Sequence, residues 1–142
     1  MSLEFLPSSL HSSDKSLQLS LVRQEHVAAL HDITNTPEIA NMVSFLDYPV
    51  SRDFIESWVA LNKNSSDHIY GIFISEQELT GCIGIHMREN KEVEIGYWFG
   101  VDYHGKGLAS KALACVLKCL DGHMGHDVFL AYAEAMESNK AS

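Results

Sequence analysis

The segment Val93-Glu94-Ile95-Gly96-Tyr97-Trp98-Phe99-Gly100 runs through Val101-Asp102-Tyr103 into His104-Gly105-Lys106-Gly107-Leu108-Ala109-Ser110. Its residue types read as a strand, a glycine-bearing turn and the first turn of a helix. The amides at the head of a helix have no intrahelical acceptor, and the helix dipole places partial positive charge beside them. A glycine turn feeding such a helix is an anion site, and the chemistry it suits is the binding of a phosphate or pyrophosphate. Histidine is the side chain best suited to moving a proton near neutrality, but nothing in the spacing of His26, His31 and His86 gives any of them a role.

The elements that must hold this turn can be read from periodicity. Leu17, Leu19 and Leu21 alternate with polar residues and predict a half-buried strand. Gln24 to about Asn35 follows as a helix, with Val27, Leu30 and Ile33 on one side. Pro37 suits the first position of a second, short helix through Met42. Ser51 is placed to cap a helix from Arg52 to about Asn62, with Phe54, Trp58 and Leu61 as its apolar side. Three consecutive strands come next. The first is centred on Tyr70, Ile72 and Ile74, the second spans Thr80 to Arg88 and the third spans Glu92 to Phe99, with Gly81 and Gly84 suited to close backbone approach. After the glycine turn, Leu108, Ala112, Leu113, Val116, Leu117 and Leu120 recur at helical spacing. Asp121-Gly122 ends that helix, and 127–133 reads as a final strand. Residues 1–15, serine-rich and without a period, are expected to form a tail. No repeat or linker divides the chain, so 1–142 is expected to be one domain.

Composition narrows the function. The formal charge is −9, from 19 acidic and 10 basic side chains, which opposes direct nucleic-acid binding because that requires phosphate neutralisation by Lys and Arg. No apolar run is long enough to span a bilayer. No signal peptide is apparent, and three cysteines fit reduced thiols in the cytoplasm. Cys115, Cys119, His123 and His126 have the residue types of a zinc site. Their spacing is far tighter than zinc modules use between ligand pairs, so no metal is expected.

The strand Glu94-Ile95-Gly96-Tyr97-Trp98 followed by Tyr103-His104-Gly105-Lys106-Gly107-Leu108-Ala109 resembles the acetyl-CoA signature of the GNAT N-acetyltransferases, in particular the RimJ/RimL-type branch that acetylates ribosomal-protein α-amines. The resemblance runs from about residue 17 to the end. It implies an α/β (α+β) acyl-CoA N-acyltransferase fold, with a mixed, mostly antiparallel central sheet flanked by helices. The family signature opens with Gln or Arg where this chain has His104. The family continues past the segment matching Ala133 to Ser142, so the C-terminal part of the fold is expected to be missing. The exposed edge at 127–133 would then favour a homodimer.

The resemblance also implies roles. Acetyl-CoA is expected as the acyl donor, its pyrophosphate on the amides from Gly105 through Lys106, Gly107, Leu108, Ala109 and Ser110, next to His104. Its pantetheine arm is expected to add to the sheet beside Tyr97, Trp98 and Phe99, whose side chains alternation divides between core and ligand. Asn139 matches a cofactor amide contact, and Ser142 matches a serine that assists thiolate departure. Glu134 aligns with a carboxylate that serves as general base, and Glu94, one strand over, is a second candidate. Attack is expected to be direct, by a neutral amine in a ternary complex. The expected acceptor is a protein N-terminal α-amine. A polyamine, amino acid or antibiotic acceptor, or a non-catalytic acetyl-CoA-binding module, is the alternative. Dinucleotide and Walker phosphate-loop signatures are absent.

Overall fold

A computed structural model describes residues 6–43, 45–75, 78–88 and 92–120, together with the backbone of 121 and 128–130. One six-stranded sheet organises it, in the spatial order β1 (Ser9–His11), β2 (Gln18–Leu21), β3 (Asp67–Ser75), β4 (Glu78–Met87), β5 (Val93–Phe99) and β6 (Val128–Leu130). Every neighbouring pair is antiparallel except β5 with β6, which is parallel. The helices α1 (Val27–Thr34), α2 (Pro37–Met42) and α3 (Arg52–Ala60) lie between β2 and β3 in the chain, and α4 (Leu108–Asp121) carries it from β5 to β6.

The expected helix starts are realised through side-chain caps. Thr36 Oγ1 accepts from the Ile39 amide at 3.2 Å with Pro37 in the first turn, and Ser51 Oγ accepts from the Phe54 amide at 3.0 Å. These bonds satisfy donors that the helix itself leaves open.

β1 departs from the expected N-terminal tail. Ser9–His11 pairs with Gln18–Ser20 across a turn built around Asp14. Asp14 Oδ1 accepts from the Ser12 hydroxyl at 2.7 Å, the Ser16 amide at 3.0 Å and the Ser16 hydroxyl at 2.7 Å. Lys111 of α4 reaches the other carboxylate oxygen at 3.0 Å. These bonds hold the Asp14 carboxyl well below its usual pKa, those from Ser16 contributing most. A three-residue strand is too short for alternation to show in sequence.

The two faces of β5 bury different things. Trp98 is fully buried and donates from Nε1 to Thr34 Oγ1 of α1 at 3.0 Å. By the two-residue period, Gly96 and Glu94 share that face. Cross-strand pairing brings in Cys82, Gly84 and His86 of β4 opposite Trp98, Gly96 and Glu94. The other face presents Ile95, Tyr97 and Phe99, paired with Ile85, Ile83 and Gly81. Gly81 is required here, because a Cβ at this position would stand 2.3 Å from the Trp98 carbonyl oxygen. α4 contributes Ala112, Val116 and Leu120 to the core at four-residue spacing. Leu117, expected among them, is instead 39% exposed.

Candidate functional site

β5, α4 and β6 form a strand–helix–strand unit with parallel strands. In open sheets, ligands bind beyond the carboxyl ends of such strands, where helix N-termini converge. The turn occupies that place. Gly100 continues the ladder by donating to the Thr80 carbonyl at 2.8 Å. A 3-10 turn over Val101–Tyr103 follows. Gly105 and Gly107 then both adopt φ of +75°, a conformation that L side chains resist. Nothing lies within 4 Å of where a Cβ would project from either glycine, so conformation rather than crowding requires glycine, and the space over the turn is open. The first intrahelical bond of α4 runs from the Lys111 amide to the Gly107 carbonyl at 3.3 Å. The amides of Leu108, Ala109 and Ser110 precede it and have no intrahelical acceptor. Gly105, Lys106, Gly107 and Ser110 are exposed, and Leu108 and Ala109 are half-buried. The arrangement fits a diphosphate: open space over successive amides, with Lys106 beside them.

His104, expected next to the pyrophosphate, makes a contact within the turn. Its Nε2 donates to the Phe99 carbonyl at 2.8 Å, fastening the turn to the end of β5. The side chains of Tyr97, Trp98 and Phe99 are all buried, at 5%, 0% and 2% exposure. Their side chains therefore offer little surface to a ligand running along β5.

On the Trp98 face, α3 and the α2–α3 loop build an aromatic stack. Phe45 stands 5.5 Å from Trp58, 5.9 Å from Phe54 and 5.9 Å from Trp98, ring centroid to centroid. Trp58 continues it to the His86 ring at 5.6 Å. The loop is anchored from α1, where Asn35 Oδ1 accepts from the Val50 amide at 2.8 Å and His31 Nε2 donates to the Val50 carbonyl at 2.6 Å. Of the apolar side expected of α3, Phe54, Trp58 and Leu61 are all half-buried, while Ile55 and Val59 are the residues fully buried. Both stripes repeat at four residues, and the neighbouring α1 takes the aliphatic one.

His86 is 2% exposed and donates from Nδ1 to Asp67 Oδ1 at 2.7 Å. Burial drives its pKa below the usual histidine value, with Arg88 adding to the effect and Asp67 and Glu94 opposing it. Glu94, opposite His86, is held by Arg88, whose Nε donates to Oε1 at 3.0 Å and whose Nη2 bonds the same oxygen. The Glu94 side chain keeps 20% of its surface exposed, so it remains reachable from solvent. His26 Nδ1 accepts from the Arg23 amide at 2.9 Å.

Glu134, Asn139 and Ser142 lie outside the described residues, as do His123 and His126. Among the described residues no group of three or more His, Cys, Asp or Glu is arranged to hold a metal. Burial raises the pKa of the Cys115 and Cys119 thiols. No helix among the described residues is long and apolar enough to cross a membrane.

Comparison with known proteins agrees with this architecture. Residues 16–142 match the family model described as the acetyltransferase (GNAT) domain. The chain is 30% identical over 111 residues to the ribosomal-protein-serine acetyltransferase of Escherichia coli strain K12, a match covering 72% of this chain and 62% of that protein. The chain thus spans less than two thirds of that relative's length. Among solved structures, the Microcin C7 self immunity acetyltransferase MccE in complex with acetyl-CoA and AMP superposes with a TM-score of 0.71 at 21% identity, over 96% of this chain and 80% of that one. The spermidine N-acetyltransferase of Vibrio cholerae in complex with CoA and spermine gives 0.69 at 16% identity, over 89% and 75%. These two likenesses speak to the fold. The family match spans nearly the whole chain, and with it the chain belongs to the GNAT acetyltransferases.

Proposed function

We propose that this chain transfers an acetyl group from acetyl-CoA to a primary amine, the α-amine of a protein N-terminus. The observation that carries the reading is the paired left-handed glycine turn at the head of α4, set at the carboxyl end of β5 beside a parallel neighbour. It offers main-chain donors to a diphosphate where a thioester arm can run back along β5. The named relative that acetylates a ribosomal-protein serine favours a protein N-terminus as acceptor.

Acetyl-CoA supplies a thioester carbonyl open to attack. The residues of this chain supply the rest. The amides from Gly105 through Ser110 hold the diphosphate, and the free main-chain groups of β5 align the arm. Phe99's carbonyl already carries His104, so the pairing falls to other groups on the strand. An acceptor arriving on the Glu94 face must lose a proton before its nitrogen can form the C–N bond as the C–S bond breaks. Glu94, bonded to Arg88 through Oε1 and with 20% of its side chain exposed, is the first candidate to take that proton. Glu134 is the second candidate, and Asn139 and Ser142 remain candidates for amide contact and thiolate protonation.

Titration calorimetry with acetyl-CoA tests the cradle, and thiol release across a panel of peptides and small amines tests the transfer. Binding with turnover on α-amines supports the reading. Binding with no turnover on any amine leaves a non-catalytic module, and turnover confined to polyamines or other small amines replaces the acceptor. Absence of binding overturns the cradle itself.

A further inference from the structure

We propose that the groove between the β1–β2 turn and α4 holds the nucleotide end of the acyl donor, with Lys118 on the 3′-phosphate of its adenosine. This rests on the acetyl-CoA reading above and deepens it, by assigning the part of the donor that lies beyond the diphosphate.

Three observations meet at the groove. The first is continuity with the cradle. The groove encloses about 690 Å³ between the hairpin turn and one side of α4. Ser110, the last of the residues with open amides at the head of α4, lines it, and so does Lys118 further along the helix. A diphosphate on those amides therefore has the groove beside it. Lys118 stands eight residues past Ser110, about 12 Å at the helical rise. Helical side chains lean toward the N-terminus, so its ammonium is carried back toward the diphosphate, within a nucleoside's reach of it.

The second observation is charge. The chain carries a formal −9, yet from Leu108 to Leu120 α4 has Lys111 and Lys118 and no acidic residue. Among the described residues that line the groove the one carboxylate is Asp14, and its charge is already compensated. Oδ1 accepts from Ser12 and Ser16, and Oδ2 pairs with Lys111 at 3.0 Å. Lys111 is held there, because its Nζ also donates to Ser16 Oγ at 3.0 Å. Lys118 is exposed, and no ion pair among the described residues holds it. The groove is thus left with one uncompensated cation, set apart from the cradle. Acetyl-CoA carries a second anion set apart from its diphosphate, the 3′-phosphate.

The third is the wall between them. Leu10, Ala114 and Cys115 give the groove an apolar surface. A purine laid on it leaves water along with that surface. An amine acceptor has neither a flat base for the wall nor an anion for Lys118, so the chemistry of the groove selects the donor.

Titration calorimetry on the full chain compares CoA with dephospho-CoA, which lacks only the 3′-phosphate. A hydrogen bond between charged groups is worth about 10- to 100-fold, and the exposure of Lys118 sets the expectation at the lower end. CoA is expected to bind about 10-fold more tightly than dephospho-CoA. In Lys118→Ala the two bind alike, through weaker binding of CoA and unchanged binding of dephospho-CoA. Lys118→Arg keeps most of the difference. Lys63→Ala, which removes an equal charge outside the groove, keeps all of it, and added salt narrows it. Equal affinities in the wild type, or a difference that survives in Lys118→Ala, overturns the proposal while leaving the cradle in place. Failure of the wild type to bind either compound sinks the functional reading beneath it.

Discussion

The two ends of the β5 face are built from different materials. At the carboxyl end, the turn into α4 is a main-chain device: Gly105 and Gly107 at φ of +75° and the open amides of Leu108, Ala109 and Ser110. Toward the amino end, the surface is made of side chains: Glu94 on Arg88 and His86 on Asp67, with the rings of Trp58 and Phe45 leading from His86 along the same face to Trp98. A main-chain site tolerates much substitution but fails where its backbone geometry or clearance is lost. A side-chain site changes by degrees and carries selectivity. The same fold can thus keep one donor-binding cradle while its other face takes a different acceptor.

The comparison breaks most sharply at Gly107. A Trp there forces a bulky side chain into a φ that costs about 1–2 kcal/mol for L residues and fills the open space over the amides. Each hydrogen bond to a charged group contributes about 1.5–3 kcal/mol. Losing two or more predicts a fall in acetyl-CoA affinity of about 1000-fold by calorimetry for Gly107→Trp. The turn projects into open space, so the circular dichroism spectrum should stay native. Retained affinity would mean that the diphosphate does not sit on this turn.

Next in size is Glu94. If it accepts the ammonium proton, Glu94→Gln lowers kcat by about 100-fold, within the usual range for a positioned base, and leaves acetyl-CoA affinity nearly intact. If Glu134 is the base instead, Glu134→Gln gives that loss and Glu94→Gln disturbs only the Arg88 pair. Steady-state kinetics of the two variants side by side separates the roles.

The contrast in materials also explains what could be read in advance. The glycine turn was legible because a left-handed backbone leaves its mark as glycine, and Gly105 and Gly107 carry that mark in the chain itself. The meander of β3, β4 and β5 and the start of α3 at Ser51 were legible for the same reason, through local pattern and caps. The side-chain face was not. Ile55 and Val59 repeat with the same period as Phe54 and Trp58, and only the position of α1 decides which pair is buried. Asp67 and His86 lie nineteen residues apart and meet through strand register, which no local pattern encodes. His104 stands where the family motif has Gln or Arg, and its bond to the Phe99 carbonyl is a contact that no local pattern encodes. β1 escaped because three residues show no period. Leu117 was counted as core because it fits the helical repeat, although the sheet does not reach it.

The smallest expected effect is a pH dependence confined to the side-chain face, since the main-chain cradle has no proton to exchange. Burial keeps His86 neutral by lowering its pKa from the ordinary value of 6.5, against the attraction of Asp67 and Glu94 and with the repulsion of Arg88. An unfolded chain regains the ordinary value. As pH falls through about 6.5, the unfolded state therefore takes up a proton that the folded state refuses, and stability drops. The drop continues until pH reaches the depressed folded value, and above 6.5 the stability is fully present. His68, lowered mainly by its own burial, adds in the same direction. Urea unfolding at pH 7.5 and 5.5 should show His86→Gln losing less stability on acidification than the wild type, by about 1 kcal/mol for one proton over one pH unit. The variant keeps a residual slope from His68, and removing both histidines should flatten that part of the curve. If His86→Gln instead loses more stability on acidification than the wild type, His86 is protonated in the fold and the Asp67 contact is an ion pair, which would put a positive charge beside Glu94 and favour Glu134 as the base.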